Sequence, residues 1–271
     1  MELSPSERRN GKLSGERLQS ALSALHDTGY VVIERALPED WIKKTRATCD
    51  ADLHVFLRKR ANRQRFLVDA KGHVGMYPER RTPYLDPVAI ANPFALQLME
   101  AAMGPDVFCT FYNTNTAWPG SGVQQLHRDT RHLFPEVSVP LPVHTVVVNI
   151  ALVDFTLENG ATEVWPGSHL ILDRLEDQGK PLEDRAARLP SVRPVFPAGS
   201  LVVRDLRVWH RGMPNTTDTI RTMLAIVYFR AFLNRPEILT IPKEAWDELP
   251  EETRKVLRYN RIKNRVGLTE R

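Results

Sequence analysis

His127 and Asp129 stand two residues apart, and a second histidine, His210, lies far downstream in the same chain. One imidazole, a nearby carboxylate and a distant imidazole are the donors of the 2-His-1-carboxylate facial triad. That triad holds a metal on one side and leaves the other side open to reactants, the arrangement of non-haem Fe(II) oxygenases. The spacing has a mechanical reason. In extended backbone, side chains i and i+2 project to the same side, so His127 and Asp129 can grip one ion together while His210 closes the set from another strand. By itself the tripeptide is a weak signal. The chain has eight histidines, and one of them falls two residues before an aspartate easily by chance.

Arg221, eleven residues after His210, strengthens the case. The intervening text carries Gly212, Pro214 and Asn215, a run of turn formers. The chain then enters the apolar stretch Thr222 to Phe229, which reads as a fully buried strand. A guanidinium at the mouth of such a strand is costly unless it meets an anion. Its planar fork is shaped to hold a carboxylate through two parallel hydrogen bonds. A hairpin of this kind puts a metal ligand on one strand and a carboxylate clamp on the next.

Taken together, the segments Gln125 to Asp129, Glu158 to Thr162, Pro166 to His169, Trp209 to Asn215, and Arg221 resemble the phytanoyl-CoA dioxygenase family. The resemblance runs in order over residues 15–232, is densest over 124–229, and is greatest to antibiotic-tailoring members. After Asp129 the text Thr130-Arg131-His132 departs from the acidic continuation expected there. The resemblance implies that His127, Asp129 and His210 ligate Fe(II). Arg221 would bind the distal carboxylate of 2-oxoglutarate, with Thr162 and Gln125 assisting, and His169 would close a structural turn. It further implies a dioxygenase of secondary metabolism that oxidises an unactivated C–H bond of a small-molecule or natural-product substrate. Dioxygen would be consumed, succinate and CO2 released, and ascorbate would serve as reductant in vitro. A halogenase needs the carboxylate position vacant to admit halide, so Asp129 argues against halogenation. Two other readings stay open on the residues alone: a metal-dependent isomerase or hydrolase on a cupin-like barrel, using zinc or manganese, and a non-catalytic binding protein. Arg221 discriminates against the first, because without a keto acid it lacks a partner.

A chain of 271 residues, with 42% hydrophobic and 26% charged residues, can bury one large core. No run approaches the ~18 apolar residues of a membrane span, and the amino-terminal text lacks the apolar region of a signal peptide. The cysteines, Cys49 and Cys109, fit neither a disulfide framework nor a zinc pattern. A cytoplasmic location is the expectation. Net charge is +4, with basic runs at Arg58, Lys59, Arg60, Arg63 and Arg65 and again over Arg254 to Arg265. These read as solvated helix faces, so neither nucleic acid nor membrane is expected as a partner.

The elements that must position these residues follow from periodicity and punctuation. Ser14 caps a helix over 15–28, with Leu18, Leu22 and Leu25 on one face and Gly29 at its end. A strand follows over 30–34, then helices over 38–60 and 93–103. From there the text turns to strands, over 106–117, 123–129, 144–154, 160–165, 192–196, 200–206 and 221–231, and a helix over 243–258 closes the chain. The fold class is mainly β with flanking helices around a double-stranded β-helix, the jelly-roll or cupin-like core. The expected organisation is a single domain over 1–271. Residues 1–104 form a mainly helical buttress, 105–232 the jelly-roll core, and 233–271 a carboxy-terminal helix and tail. Segments 63–91 and 168–191 read as long loops. The first is a candidate substrate cover through His73, Met76 and Tyr77, and Trp118 and Arg131 flank the ligand segment as candidate substrate contacts.

Overall fold

The computed structural model describes residues 1–134, 136–173, 180–233 and 238–264. The first half of the chain holds α1 (Pro5–Asn10), α2 (Gly15–Thr28), β1 (Tyr30–Ile33), α3 (Glu39–Phe56), α4 (Arg60–Asn62), a π-helical turn (Arg63–Asp69), β2 (His73–Met76), α5 (Pro87–Ile90), α6 (Pro93–Met103) and β3 (Phe108–Ala117). The second half adds β4 (Thr145–Ala151), β5 (Glu163–Val164), a 3-10 turn (Ser168–Leu170), α7 (Leu182–Ala186), β6 (Leu201–Asp205), β7 (His210–Arg211) and β8 (Arg221–Phe229). The chain continues through β9 (Thr240–Pro242), α8 (Lys243–Asp247), α9 (Glu251–Val256) and β10 (Arg261–Lys263).

Helix boundaries follow the sequence signals. Ser14 accepts the Arg17 amide at the start of α2, and Gly29 ends it in the left-handed region, donating its amide to Leu25. The predicted helix over 243–258 is instead two short helices. Pro250 has no amide proton and disfavours helical backbone at Leu249, so α8 stops and α9 restarts after the proline.

Six strands form the large sheet, in the order β1-β6-β4-β8-β3-β2, with every neighbour antiparallel. Every residue of β4 is buried, because both of its faces are covered. Val146, Val148 and Ile150 face the helical layer, where they join one core with Leu25's neighbours Ala21 and Leu22, and with Leu53 and Leu98. Val147 and Asn149 face a cavity on the other side. This alternation is the strand period of two. Segment 63–91, expected as a loop, supplies the π-helical turn, α5 and the edge strand β2, whose His73 pairs with Ala117.

The opposite wall is minimal. β5 pairs with β7, and isolated bridges join His127 to His210, Val164 to Val192 and Phe155 to Phe196. The strands expected over 123–129 and 192–196 are therefore reduced to single bridges. Over 120–124 the backbone amides bond in turn to Asn215, Trp118, Lys71 and Gly212, so no one partner strand can propagate a ladder. Two facing β layers with helices outside one of them make the jelly-roll. Among the described residues no helix is long and apolar enough to cross a membrane.

Candidate active site

A single bridge within the smaller wall sets the two histidine ligands. His127 and His210 exchange both backbone hydrogen bonds, at 3.0 and 2.8 Å, which puts their imidazoles on the same side with ring centroids 4.3 Å apart. The Asp129 amide bonds to Leu206 O at 3.0 Å and turns its carboxylate to the same point. Asp129 Oδ1 lies 3.8 Å from His127 Nε2, and its Oδ2 lies 3.7 Å from His210 Nε2. One donor atom from each of the three lies within 4.8 Å of the others. Two atoms bonded to one ion at ~2.1 Å lie at most ~4.2 Å apart, a limit that both Asp129 contacts already meet.

The tautomers agree. His127 Nδ1 faces the Gln125 carbonyl at 2.9 Å and His210 Nδ1 faces the Val208 carbonyl at 3.0 Å. A carbonyl can only accept, so each Nδ1 carries the proton and each Nε2 presents a lone pair to the centre. Burial, then the charge of Arg204, drives the His210 pKa down to about 3 despite the opposing pull of Asp129. The ring is neutral, as a ligand must be. For Asp129, burial works against ionisation, but His210, Arg204 and His127 outweigh it and hold the carboxyl at about 2.

Arg204 was not singled out by the sequence reading. It stands in the buried strand β6, donates to Asp129 Oδ2 at 2.8 Å and lies 3.2 Å from His210 Nδ1. Its signal was present, a charge inside Leu201-Val-Val-Arg-Asp205, where burial of an unpaired guanidinium would be prohibitive.

Arg221 lies in the same cavity, 2% exposed. One terminal nitrogen donates to Gly160 O at 2.7 Å, its Nε has no partner, and the guanidinium sits 4.8 Å over the Phe155 ring. No carboxylate pairs with it among the described residues. Burial, then the neighbouring charge of Arg193, pulls its pKa to about 10. Gly160 is required there. A Cβ on it would come within 2.5 Å of Met213 O, at a φ of +85° that L side chains rarely adopt. Asn215 builds the turn between β7 and β8, donating to Ala117 O and Thr219 O and accepting from Thr217.

The cavity, about 490 Å³, is lined by the triad, Arg204, Arg221, Thr162, His73, Gln124, and the inward side chains of the large sheet. Gln125, expected beside the cofactor, is exposed and offers only its carbonyl, to His127. Its neighbour Gln124 faces the cavity and accepts the Gly212 amide at 2.8 Å. The extended alternation assumed for 123–129 does not hold through that irregular backbone, hence the shift by one residue. Trp118 packs edge-on against His54, Arg131 is exposed, and neither lines the cavity. Tyr77, also outside the lining, is 54% exposed with its ring edge-on to Phe111. Met76 is buried in the helix-side core, whereas His73 lines the cavity and bonds to Gly122 O at 2.7 Å. His169 faces the His26 carbonyl, away from the triad.

Residues 25–223 match the family described as Phytanoyl-CoA dioxygenase (PhyH). The chain belongs to the phytanoyl-CoA dioxygenase family. It is an iron- and 2-oxoglutarate-dependent non-haem dioxygenase, and its triad has the donors to hold the iron. A relative named iron/alpha-ketoglutarate-dependent dioxygenase ausU, from Aspergillus calidoustus, is 26% identical over 93% of this chain and 86% of its own. The dioxygenase af480 of Aspergillus fumigatus is 30% identical over 64% of this chain, a match spanning about half, 54%, of that relative. Among solved structures, the carbocyclase SnoK from nogalamycin biosynthesis is similar at a TM-score of 0.58, with 22% identity over 84% of this chain and 88% of that one. AviO1 from Streptomyces viridochromogenes is similar at 0.59, with 21% identity over 82% of this chain and 99% of that one. These two likenesses concern the fold.

Proposed function

We propose that the chain, acting as one domain, couples decarboxylation of 2-oxoglutarate to hydroxylation of an unactivated C–H bond in a small natural-product substrate. The observation that carries this reading is Arg221, a buried guanidinium that pairs with no carboxylate among the described residues, sharing one cavity with a three-donor metal set. A dicarboxylate chelating the metal at one end and meeting Arg221 at the other would neutralise that charge. Bound iron with 2-oxoglutarate and dioxygen supplies the oxidising power for C–H cleavage, the cosubstrate leaving as succinate and CO2.

The remaining work falls to the chain's own residues. His127 and His210 hold their Nδ1 protons on backbone carbonyls and keep Nε2 free. Arg204 fixes the Asp129 carboxylate and keeps it ionised. Phe155 covers one face of the Arg221 guanidinium and shields it from water. Thr162 stands in the lining as a second contact for the cosubstrate's distal carboxylate, and Gln124 rather than Gln125 is placed to help. Relatives named for carbocycle formation and epimerisation support the view that substrate pose decides the outcome on this fold.

With Fe(II), 2-oxoglutarate and ascorbate, the purified chain releases succinate. In the Arg221→Leu variant, losing a charge-assisted pair of about 1.5–3 kcal/mol raises the 2-oxoglutarate concentration needed by roughly 10–100-fold. An unchanged requirement, or turnover sustained by zinc without 2-oxoglutarate, overturns the reading.

A further inference from the structure

The register of the large sheet places two amides side by side on the cavity floor. Asn113 on β3 pairs with Ala225 on β8, and Ala225 pairs in turn with Asn149 on β4. Both asparagines line the cavity, separated by two strand spacings, roughly 10 Å between Cα atoms. The alanine methyl between them leaves the space above the floor open.

Neither amide is fully satisfied among the described residues. Asn149 is 5% exposed and its Nδ2 has no partner. Asn113 Oδ1 has none either, and its Nδ2 reaches only Asn115 Oδ1, at 3.5 Å. Each orphaned group costs about 1–3 kcal/mol. A leucine, which has the same branched skeleton, would remove that cost beside the open cavity, so something other than stability accounts for the amides.

The surroundings say what they face. On the side away from Arg221, the next row of inward side chains is Phe111, Val227 and Val147, apolar across three strands before it reaches Arg204 on β6. In the other direction Met223 intervenes, and then Arg221. Every charged group in the lining already has an assignment. Asp129 is paired with Arg204 at the metal, Arg221 awaits the cosubstrate carboxylate, and His73 bonds to a backbone carbonyl. A carboxylate offers only acceptors, whereas each amide presents a donor and an acceptor whichever way it is turned. A hydroxyl, or a carbonyl beside one, matches that need.

We propose that Asn113 and Asn149 form the hydrogen-bonding shelf for the substrate, a neutral, largely apolar molecule carrying a hydroxyl or carbonyl. Its apolar body lies against Phe111, Val147 and Val227. Its oxygen function rests on the amides, which selects the C–H bond presented to the metal. This rests on the site being a 2-oxoglutarate oxygenase.

The test uses three probes with one cage and different charge: 1-adamantanol, 1-adamantanecarboxylate and 1-adamantanamine. Each is titrated into the chain loaded with Mn(II) and 2-oxoglutarate, and binding is read from paramagnetic broadening of the probe's proton signals. Adamantanol binds the native chain at least tenfold more tightly than either charged probe. Asn149→Leu and Asn113→Leu each weaken it about three- to tenfold, the effect of one hydrogen bond. Both variants keep 2-oxoglutarate affinity within twofold, and metal-free they melt at the same temperature as the native chain or higher.

Absent adamantanol binding to the native chain, or affinity unchanged in both variants, overturns the proposal. So does a lower melting temperature, which makes the amides structural. Loss of 2-oxoglutarate affinity in the variants assigns the shelf to the cosubstrate and overturns it likewise. Failure of the underlying reading shows separately, as a native chain that does not bind 2-oxoglutarate in the presence of Mn(II).

Discussion

The two walls of the cavity are built by opposite means. One is a continuous six-stranded antiparallel sheet whose strands are held by long ladders, with a register shift in β3 between Cys109 and Phe111, and by a helical layer behind them. The other, which carries all three metal ligands, has the two-residue strands β5 and β7 and a few single bridges. Regular backbone gives the first wall its stability and an even floor. The second wall needs three donors from different parts of the chain aimed at one point, and a regular ladder would spread them along a line. Its geometry is held instead by local contacts, the carbonyls on the Nδ1 atoms and Arg204 reaching across from β6. The wall that stabilises and the wall that reacts are thus built separately, and Arg204 ties the large sheet to the metal ligands.

Substitutions in each wall sharpen that contrast. Asp129→Asn keeps an acceptor for Arg204 but removes the anionic ligand. Metal affinity, measured by titration with Fe(II) or Co(II), falls by more than ~100-fold, exceeding the usual effect of losing a group behind the ligands. The melting temperature of the metal-free chain shifts by only a few degrees. Leu224→Ala, in the fully buried face of β8, does the reverse. It destabilises the chain by about 2–5 kcal/mol in thermal or urea unfolding, while metal affinity of the folded protein stays within about threefold. If either substitution moved both quantities equally, the walls would not be separable.

Arg204→Met probes the link between them. Metal affinity falls by roughly 10–100-fold, the scale for residues that orient ligands, with a smaller change in melting temperature. A large loss of stability with unchanged affinity would make Arg204 a structural residue.

Acid is the gentlest probe. In the metal-free chain the His210 pKa lies at about 3, against 6.5 for an ordinary histidine. The unfolded chain therefore takes up a proton that the folded one refuses, and stability declines as pH falls from 6.5 towards 3. Asp129, depressed from 3.8 to about 2, contributes stability above 3.8 that is lost only as pH falls through about 2. Between pH 6.5 and 4 His210 acts without Asp129, alongside His73, His132 and His169, whose pKa values burial also lowers. Exchange protection of the His127 and His210 amides, corrected for intrinsic rates, decreases over that range, whereas the amides of Val148 and Ile226 hold theirs. Equal losses would tie the two walls into one cooperative unit.

Sequence alone determined the chemistry and the layers of this protein. The spacing of His127 and Asp129, the turn formers before Arg221 and the apolar run after it are local patterns, and local patterns survive in one dimension. The helix caps at Ser14 and Gly29 belong with them. Tertiary structure decided which neighbour faces the cavity, Gln124 and not Gln125, because the backbone over 120–124 bonds in turn to three separate stretches of chain and breaks the strand alternation. It also drew Arg204 onto Asp129, kept Trp118 and Arg131 out of the lining, and aligned Asn113 with Asn149 across Ala225. Each of those facts depends on register between strands distant in the chain, and register is set by the packing of the whole sheet rather than by any one segment.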